Sequence, residues 1–333
     1  PNVRAGLKVI VAEVGAVLPG NITIKKAKLA GLESNGMICS LEELGLDSKY
    51  LRPEDKEGIH ELPLDAPVGE DAIHYLGYDD EVIDFELTAD RADLMSMLGM
   101  AYEVGAIYDR KVSYPETEVE TISEDVSEVH TLNVETKDCP IYLGRMVRNV
   151  QIKESPMWLK NRLMASGIRS INNVVDISNY VMLEYGQPLH FFDSDALGRD
   201  VIVRNAKEME EMTTLDGNKR VLGPDDLVIA NKNEAVCLAG VMGGLNTEVE
   251  EDTKNIFIEA AIFDALKIRN TARHILRSEA SSRYEKGIDP NRTRMAIDRA
   301  CYLLNKYAGG EVLSGCLVHD KTSKEDKKIS ITL

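Results

Sequence analysis

Apolar residues recur along the chain with two different periods, and these periods predict a mixture of strands and helices. Short apolar or alternating runs bounded by glycine, proline or charged residues are typical of strands. They occur at 8–12, 22–24, 132–135, 142–147, 201–204, 228–230, 235–238 and 255–261. Apolar positions three and four residues apart predict helices over 90–108, 156–166, 173–185, 264–276 and 290–307. The pattern favours an α+β or mixed α/β protein that begins with a small β domain.

Capping residues mark the ends of several predicted helices. Asp289 precedes Pro290, and an acceptor side chain followed by proline favours the first turn of a helix. Asn172 opens the helix predicted over 173–185, and Gly186 follows its last apolar residue. We therefore expect both helices to begin and end close to these residues.

The segment from 113 to 128 is acidic and contains Pro115. A polar stretch of this kind, interrupted by proline, is typical of an exposed connection between folded parts. We therefore expect a linker there, and with it the main domain boundary.

The charge balance limits the part that nucleic acid can play. The chain has 333 residues, enough for two or three domains, and its 56 acidic and 39 basic residues give a net charge of -17. Phosphate contacts need lysine and arginine. These gather in two clusters, Arg145, Arg148, Lys153, Lys160, Arg162 and Arg169, and then Arg269, Arg273, Arg277, Arg283, Arg292, Arg294 and Arg299. Each cluster is either solvated helix surface or a local track for a nucleic-acid backbone.

The five cysteines are scattered, odd in number and free of any C-x-x-C pair. This argues against a disulfide framework and a structural zinc site, and a reducing cytoplasm is the expected location. No run approaches 18 consecutive apolar residues, so we expect no transmembrane helix and no membrane partner.

Several standard catalytic motifs are absent from the sequence, among them the P-loop, H-E-x-x-H and G-x-S-x-G. The glycine-rich segment at 239–244 lacks the spacing of a dinucleotide-binding motif. It is either a turn between strands or a place where backbone amides approach a ligand closely.

Two titratable residues stand in apolar surroundings. His190 follows the rigid turn at Pro188 and precedes two phenylalanines, so it is either a partly buried structural residue or a catalytic one. Glu259 interrupts an apolar strand, and it either points outward or supplies a polar group inside an apolar pocket. The segment at 278–287 follows a helix and contains several small residues, so it is either a capped loop or a pocket wall that leaves room for an aromatic ligand.

Taken together and in this order, these segments resemble the β subunits of bacterial phenylalanyl-tRNA synthetases. The resemblance spans essentially the whole chain. It rests on the segments at 31–40, 84–88 with Arg91, 170–193, 214–217, 239–244 and 274–290. The blocks at 172–193 and 277–290 are long and specific to this family.

The resemblance implies an α+β multidomain fold, with a partial OB-type β-barrel followed by a mixed α/β editing domain. Residues 1–62 would form part of the tRNA-binding barrel, and 63–125 a small α/β domain with the acidic connection. Residues 126–323 would form the editing domain, and 324–333 the start of a following domain. Because the family extends at both ends, we expect this chain to be part of a longer protein.

The resemblance also implies a pocket that hydrolyses tyrosine mistakenly attached to the phenylalanine tRNA. It assigns catalytic positions to His190, Glu259 and Ser278. It assigns substrate-binding positions to Asn179, Pro188, Ala239, Gly240, Gly243, Gly244 and Ala280. Ser278 stands where some members of the family have threonine, so that the hydroxyl is kept and the methyl group is absent.

The expected chemistry is hydrolysis without a covalent intermediate. A pocket that binds phenylalanine discriminates against tyrosine, which only adds a hydroxyl, by a factor of only about 100. A second site that requires this hydroxyl can therefore remove the tyrosine that was attached by mistake. Glu259 can accept a hydrogen bond from the phenol, and the glycines can let backbone amides approach the ester. His190 is expected to bind the terminal ribose or orient the attacking water, with general-base action as a weaker possibility.

The expected partners are tRNA(Phe), tyrosine as the editing ligand, and the α subunit of an α2β2 enzyme. The resemblance places ATP and Mg²⁺ in the complete enzyme and assigns no cofactor or metal to this part. Two other functions stay open, a non-catalytic scaffold for tRNA binding or assembly and a free-standing module that binds an amino acid without RNA.

Overall fold

The structure is a computed structural model that describes residues 2–51, 53–323 and 328–331. The predicted start of a following domain at 324–333 falls largely outside the described residues.

Strands are short in the first third of the chain and longer after it. In chain order they are β1 (Lys8–Val9), β2 (Val11–Glu13), β3 (Val17–Leu18), β4 (Ile22–Thr23), β5 (Ala27–Leu29), β6 (Leu32–Ser34), β7 (Gly36–Ile38), β8 (Glu61–Leu62), β9 (Thr121–Asp125), β10 (Thr131–Val134), β11 (Ile141–Arg148), β12 (Leu189–Asp193), β13 (Asp200–Asn205), β14 (Glu210–Thr213), β15 (Lys219–Leu222), β16 (Leu227–Ala230), β17 (Ala235–Leu238), β18 (Met242–Gly243), β19 (Ile256–Ile262), β20 (Glu311–Ser314) and β21 (Leu317–Asp320).

Helices range from single turns to nineteen residues. They are α1 (Pro53–Lys56), α2 (Ala72–Leu76), α3 (Met97–Tyr108), α4 (Val126–Val129), α5 (Met157–Ala165), α6 (Asn173–Tyr185), α7 (Ser194–Leu197), α8 (Ala265–His274), α9 (Glu279–Tyr284) and α10 (Pro290–Ala308). Short 3₁₀ turns occur at Glu42–Leu44, Ser48–Tyr50, Ala92–Leu94 and Leu245–Thr247.

The chain forms two compact units, of which the first contains Pro1–Asp84 and Ser155–Ile171. Its strands pair antiparallel in four two-stranded ladders, β1 with β8, β2 with β7, β3 with β4 and β5 with β6. A small core lies among them, made of Ile10, Ala12, Leu18, Ile24, Cys39, Leu41, Leu51 and Leu76. Because the ladders stay separate among the described residues, the OB-type barrel remains a prediction.

Helix α5 belongs to this first unit, although it lies far along the sequence. Met157 packs against its core, and the Asn161 side chain donates a hydrogen bond to the carbonyl of Leu76. The first unit therefore combines two stretches that are far apart in the sequence. The division into four domains remains a prediction.

The second unit, Phe85–Glu154 with Asn172–Leu333, is built around two sheets. Its six-stranded sheet has the order β12-β19-β11-β20-β9, with β21 also paired to β11. Its five-stranded sheet has the order β10-β13-β16-β17-β18. Side chains from both sheets form one apolar core, which includes Tyr142, Met146, Phe192, Phe257 and Ala261 from the first sheet and Val201, Val203, Val228, Ile229 and Val236 from the second.

Helices α6 and α10 pack on each other, and α10 also packs on β11 and β19 of the six-stranded sheet. On β11 the buried guanidinium of Arg145 pairs with the Asp298 carboxylate of α10 at 2.6 Å. The Asn173 side chain at the start of α6 donates to the carbonyls of Gln151 and Tyr307. These contacts fix the sheet that carries the candidate site described below.

Most predicted elements of the second unit are confirmed. Asn172 caps α6 and Gly186 ends it in the left-handed conformation with φ of 74°. The helix predicted over 90–108 begins later, because the Ser96 side chain accepts from the amide of Gly99 and starts α3 there.

The linker predicted over 113–128 was wrong in its second half. Residues 121–125 form β9, parallel to β20 at the sheet edge, where polar side chains are tolerated.

Gly144 on β11 generates a test of this packing. A methyl group there would lie 2.5 Å from Cζ of Phe257, whose ring covers the backbone. We expect Gly144→Ala to lower the free energy of unfolding by about 1–3 kcal/mol, the usual effect of an overpacked core. Urea unfolding measures the change. The matched control is Gly223→Ala, because no atom lies within 4 Å of the methyl position there. Equal effects of the two changes would contradict the packing described.

Candidate functional site

Strand register brings His190 and Glu259 together. In the antiparallel pairing of β12 and β19, His190 lies directly opposite Glu259, and Gly144 of β11 lies opposite Glu259 on its other side. Residues directly opposite each other in neighbouring strands project to the same face of a sheet. The two titratable side chains therefore share the face that carries Tyr142 and Phe257 and meets the five-stranded sheet.

The Glu259 carboxyl is buried without a full set of partners. The residue is 3% exposed, and its Oε2 atom has no hydrogen-bond partner. Burial raises the pKa of Glu259 to about 8. The nearby hydroxyl of Tyr142 opposes this pKa shift in part, although it does not reach the geometry of a hydrogen bond. At neutral pH the carboxyl is therefore mostly protonated, and it can donate through its hydroxyl as well as accept through its carbonyl oxygen.

His190 lies beside this carboxyl and is neutral at physiological pH. Burial lowers the pKa of His190 to about 4. The residue keeps some surface exposure, but its Nε2 atom is buried and has no partner. Its ring meets the edge of Phe192 with the two centroids 4.3 Å apart. A neutral ring with a free nitrogen can hold a hydroxyl or a water, whereas its low pKa makes it a weak general base.

The glycine segment passes close to the imidazole ring. A methyl group on Gly243 would lie 2.2 Å from Cε1 and 2.6 Å from Nε2 of His190, so this position accepts only glycine without rearrangement. Gly240 adopts a left-handed φ of 68° and packs against Phe263 and Tyr284. The amide of Gly244 donates to the carbonyl of Val236 at 2.8 Å and is therefore already engaged. The segment is therefore a turn that also passes close to His190, and its approach to a ligand stays a prediction.

The Ser278 hydroxyl has a structural partner on each side. It donates to the carbonyl of Val241 at 2.7 Å and accepts from the amide of Ser281 as the cap of α9. Ala239 is buried in the core, and Ala280 packs against it. In this structure Ser278 links α9 to the glycine segment, and its hydroxyl is not free to attack an ester.

Pro188 and Asn179 occupy different surroundings. The carbonyl of Pro188 accepts from the side-chain amide of Gln187 at 2.9 Å and from the hydroxyl of Tyr284 at 3.5 Å. Asn179 lies partly exposed on α6. In the part of the chain that the structure describes, no side-chain hydrogen bond joins Asn179 to the other predicted site residues.

Three buried polar residues that the sequence did not single out hold the ends of the two site strands. The Gln187 amide and the Tyr284 hydroxyl both donate to the carbonyl of Ala261, at 2.9 and 3.1 Å. The Thr293 hydroxyl donates to the Gln187 side chain at 2.9 Å. Gln187 lies within the segment at 170–193 that carries part of the family resemblance, but nothing in the sequence pairs it with Thr293.

A surface groove of about 420 Å³ lies next to the titratable pair and does not include it. Its lining residues are Glu211, Met212, Thr213, Lys219, Glu234, Ala235, Leu245 and Asn246. The bridge between Thr214 and Gly244 connects the groove to the glycine segment. The buried pair, rather than this groove, carries the unpartnered titratable atoms and is the centre of the candidate site.

Most arginines of the two basic clusters form ion pairs with carboxylates of this chain. The paired ones are Arg145 with Asp298, Arg148 with Glu124, Arg277 with Glu285, Arg283 with Glu279, Arg292 with Asp289, Arg294 with Asp298 and Arg299 with Glu184. Guanidinium groups engaged in this way offer less to phosphates, so the structural interpretation gains support mainly for the second cluster, which has five of the seven pairs.

No group of three or more histidine, cysteine or acidic side chains suited to a metal ion occurs within the described ranges. Across those same ranges, no helix is long and apolar enough to cross a membrane.

The pKa values generate a prediction about stability. Between pH 4.5 and 8 the folded chain keeps the proton on Glu259 that the unfolded chain releases, so this contribution to stability is lost as the pH rises. Between pH 4 and 6.5 the folded chain keeps His190 neutral, whereas the unfolded chain takes up a proton on this residue. The contribution of His190 to stability is therefore lost as the pH falls through this range. From pH 6.5 to 8 we expect the unfolding free energy to drop about 1–2 kcal/mol further for the wild type than for Glu259→Gln.

Urea unfolding at several pH values measures this difference. Glu208→Gln is the control, because Glu208 is exposed and should keep the wild-type slope. Parallel curves for wild type and Glu259→Gln would show that Glu259 titrates as an ordinary surface carboxyl.

The B3/4 domain family matches residues 138–309, the part that carries the site. Over its whole length the chain is 54% identical to the phenylalanine–tRNA ligase β subunit of Geobacillus kaustophilus and 51% identical to that of Bacillus subtilis. It spans 42% of the length of each of these relatives. An N-terminal fragment of the phenylalanyl-tRNA synthetase β subunit from Pyrococcus horikoshii aligns over 70% of this chain and 65% of that one. Its TM-score of 0.40 and 15% identity are too low to bear on the fold. The chain belongs to the B3/4 domain family, and its sequence relatives along its whole length are phenylalanine–tRNA ligase β subunits.

Proposed function

We propose that this chain is the editing part of a phenylalanine–tRNA ligase β subunit, which hydrolyses the ester between tyrosine and tRNA(Phe). The observation that carries the proposal is the buried Glu259 carboxyl, unpartnered at one oxygen and paired in register with His190. The names of the sequence relatives support the enzyme class, and the B3/4 match covers both residues.

The buried carboxyl supplies the selectivity. A tyrosine side chain that reaches Glu259 can donate its phenol proton to the carbonyl oxygen or accept from the carboxyl hydroxyl. Phenylalanine offers neither group and leaves the Oε2 atom of Glu259 unpaired, as it is without ligand. An unpaired buried polar group costs about 1–3 kcal/mol, which corresponds to roughly a 5- to 150-fold preference for tyrosine.

His190 positions the reacting groups. The attacking water adds its oxygen to the ester carbonyl carbon, the bond from that carbon to the ribose oxygen breaks, and a proton from the water passes to the departing ribose oxygen. The neutral imidazole of His190 holds the water or the ribose through its free Nε2 atom. Because an aminoacyl ester is already reactive toward water, positioning supplies a large part of the acceleration.

Hydrolysis proceeds without an acyl-enzyme intermediate in this proposal. The Ser278 hydroxyl is engaged with the carbonyl of Val241. Burial raises the pKa of both Cys139 and Cys237, which lie near Glu259, so neither is a thiolate at neutral pH. Direct attack by water is the remaining route at this face of the sheet.

The wider assembly belongs to the same proposal. In it the chain works in the cytoplasm with tRNA(Phe) and an α subunit, which carries out aminoacylation with ATP and Mg²⁺. The ion pairs of the basic clusters weaken the alternative of a tRNA-binding scaffold that needs no hydrolytic site. An amino-acid-binding module would use the same buried carboxyl but would show no hydrolysis.

The test is release of tyrosine from tyrosyl-tRNA(Phe), with phenylalanyl-tRNA(Phe) as the comparison substrate. We expect the chain to release tyrosine selectively. Glu259→Ala should lower kcat/KM for the tyrosyl ester about 10- to 100-fold and should change the Kd for tRNA less than about 2-fold. The exposed Glu208→Gln is the control and should match the wild type.

Two outcomes would overturn the proposal. One is an equal rate for both esters in the complete ligase as well as in this chain. The other is a Glu259→Ala variant that loses tRNA affinity as much as it loses turnover. Tyrosine binding without any hydrolysis in either form would favour the amino-acid-binding module.

A further inference from the structure

The hydroxyl of Tyr142 is buried in the core without a hydrogen-bond partner among the described residues. Tyr142 lies on β11 and is 0% exposed, and its Oη atom is unpaired. A buried polar group without a partner has a free-energy cost that a phenylalanine at the same position would avoid. The hydroxyl therefore adds nothing to the stability of the fold, and it is available to a ligand.

Strand register sets this hydroxyl on the face that carries the candidate site. Tyr142 lies opposite Ala261 of β19, two residues from Glu259, while Gly144 lies directly opposite Glu259 and has no side chain. Diagonal neighbours on adjacent strands lie within reach of an aromatic side chain. Burial raises the pKa of Glu259, and the Tyr142 hydroxyl opposes this shift, so the two groups are close although they do not reach hydrogen-bond geometry.

The other polar neighbours of the Tyr142 hydroxyl are weak partners. Burial raises the pKa of Tyr142, and the nearby side chains of Glu259, Cys139 and Cys237 raise it further. Each of the two thiols donates to a backbone carbonyl, and sulfur accepts hydrogen bonds only weakly. Among these neighbours, the carboxyl of Glu259 is therefore the strong hydrogen-bonding group with which the Tyr142 hydroxyl can act.

A ligand hydroxyl placed between Tyr142 and Glu259 would give both residues a partner. The Oη atom of Tyr142 and the Oε2 atom of Glu259 are both buried and unpaired. A phenol has one proton to donate and also accepts through its oxygen. It can donate to the carboxyl of Glu259 and accept from the hydroxyl of Tyr142 at the same time, so that all three groups are paired.

Three adjacent strands fix how such a ligand lies. His190 on β12, Glu259 on β19 and Tyr142 on β11 project to one face. Neighbouring strands are about 4.8 Å apart, so β12 and β11 are separated by roughly 10 Å, which suits a ligand with its phenol toward β11 and its ester at His190. We propose that Tyr142 is a second specificity-determining residue, whose hydroxyl donates to the phenol of tyrosine while the phenol donates to Glu259, an inference that rests on the proposed editing function.

The test compares tyrosinamide with phenylalaninamide, two ligands that differ only in the phenol hydroxyl. Calorimetry gives Kd for each with the wild-type chain and with Tyr142→Phe, and the ratio of the two Kd values cancels any general change in the pocket. We expect Tyr142→Phe to lower the preference for tyrosinamide about 3- to 10-fold, because the phenol loses one of two hydrogen bonds. The Kd for phenylalaninamide should change less than about 2-fold, because phenylalanine makes no hydrogen bond to Tyr142.

The matched control is Tyr185→Phe. The hydroxyl of Tyr185 is also buried and unpaired, but this residue lies on α6, outside the candidate site. Tyr185→Phe should therefore keep the wild-type preference for tyrosinamide. Urea unfolding checks that both variants fold, and neither should lower the unfolding midpoint, because neither hydroxyl has a partner in the fold.

Four results would overturn the inference. They are a wild type without preference for tyrosinamide, an unchanged preference in Tyr142→Phe, an equal loss in both variants, and a lower unfolding midpoint in Tyr142→Phe, which would show that its hydroxyl serves the fold. Hydrolysis of tyrosyl-tRNA(Phe) separates this inference from the editing function. A loss of preference confined to Tyr142→Phe, without hydrolysis by the wild type, would retain the role of Tyr142 in recognition and reject editing. Selective hydrolysis with an unchanged preference in Tyr142→Phe would do the reverse.

Discussion

Burying the Glu259 carboxyl between two sheets has a free-energy cost that the rest of the unit must offset. An ionised carboxylate in these surroundings would lose several kcal/mol of hydration, so the group keeps its proton and its pKa rises to about 8. The apolar core around it and the buried pair of Arg145 with Asp298 hold the sheet in place. A ligand that forms a hydrogen bond with the carboxyl recovers part of this cost, which tyrosine can do and phenylalanine cannot. This difference between the two amino acids is the basis of the proposed selectivity.

Backbone register and glycine then place the other groups around that carboxyl. The pairing of β12 with β19 sets His190 beside Glu259, and the missing side chain of Gly243 lets the loop close on the imidazole. The Gln187, Tyr284 and Thr293 network holds the strand ends at Pro188 and Ala261, two residues from the paired side chains. A slip of one residue in this register would turn either side chain to the opposite face. The site therefore depends on buried structural residues as much as on its titratable groups.

Local sequence signals predicted much of this unit. Asn172 and Gly186 marked a helix by capping chemistry that acts within a few residues, and both prove to be its caps. His190 and Glu259 each stood out as polar residues in apolar surroundings. Their pairing could not be read from the sequence, because it depends on the register of strands that are far apart in the chain. The same holds for the groove, whose two sides come from residues near 213 and 245. The acidic strand β9 was missed because its composition is that of a loop, although an edge position tolerates it.

The most direct test of the central claim observes the Glu259 carboxyl itself. Infrared difference spectra of the wild type against Glu259→Gln at pH 7 isolate the carbonyl stretch of the protonated carboxyl. Spectra are recorded without ligand, with tyrosinamide and with phenylalaninamide. The account predicts a protonated band in the free chain that shifts with tyrosinamide and stays in place with phenylalaninamide. A carboxylate band in the free chain, or the same response to both ligands, would contradict it.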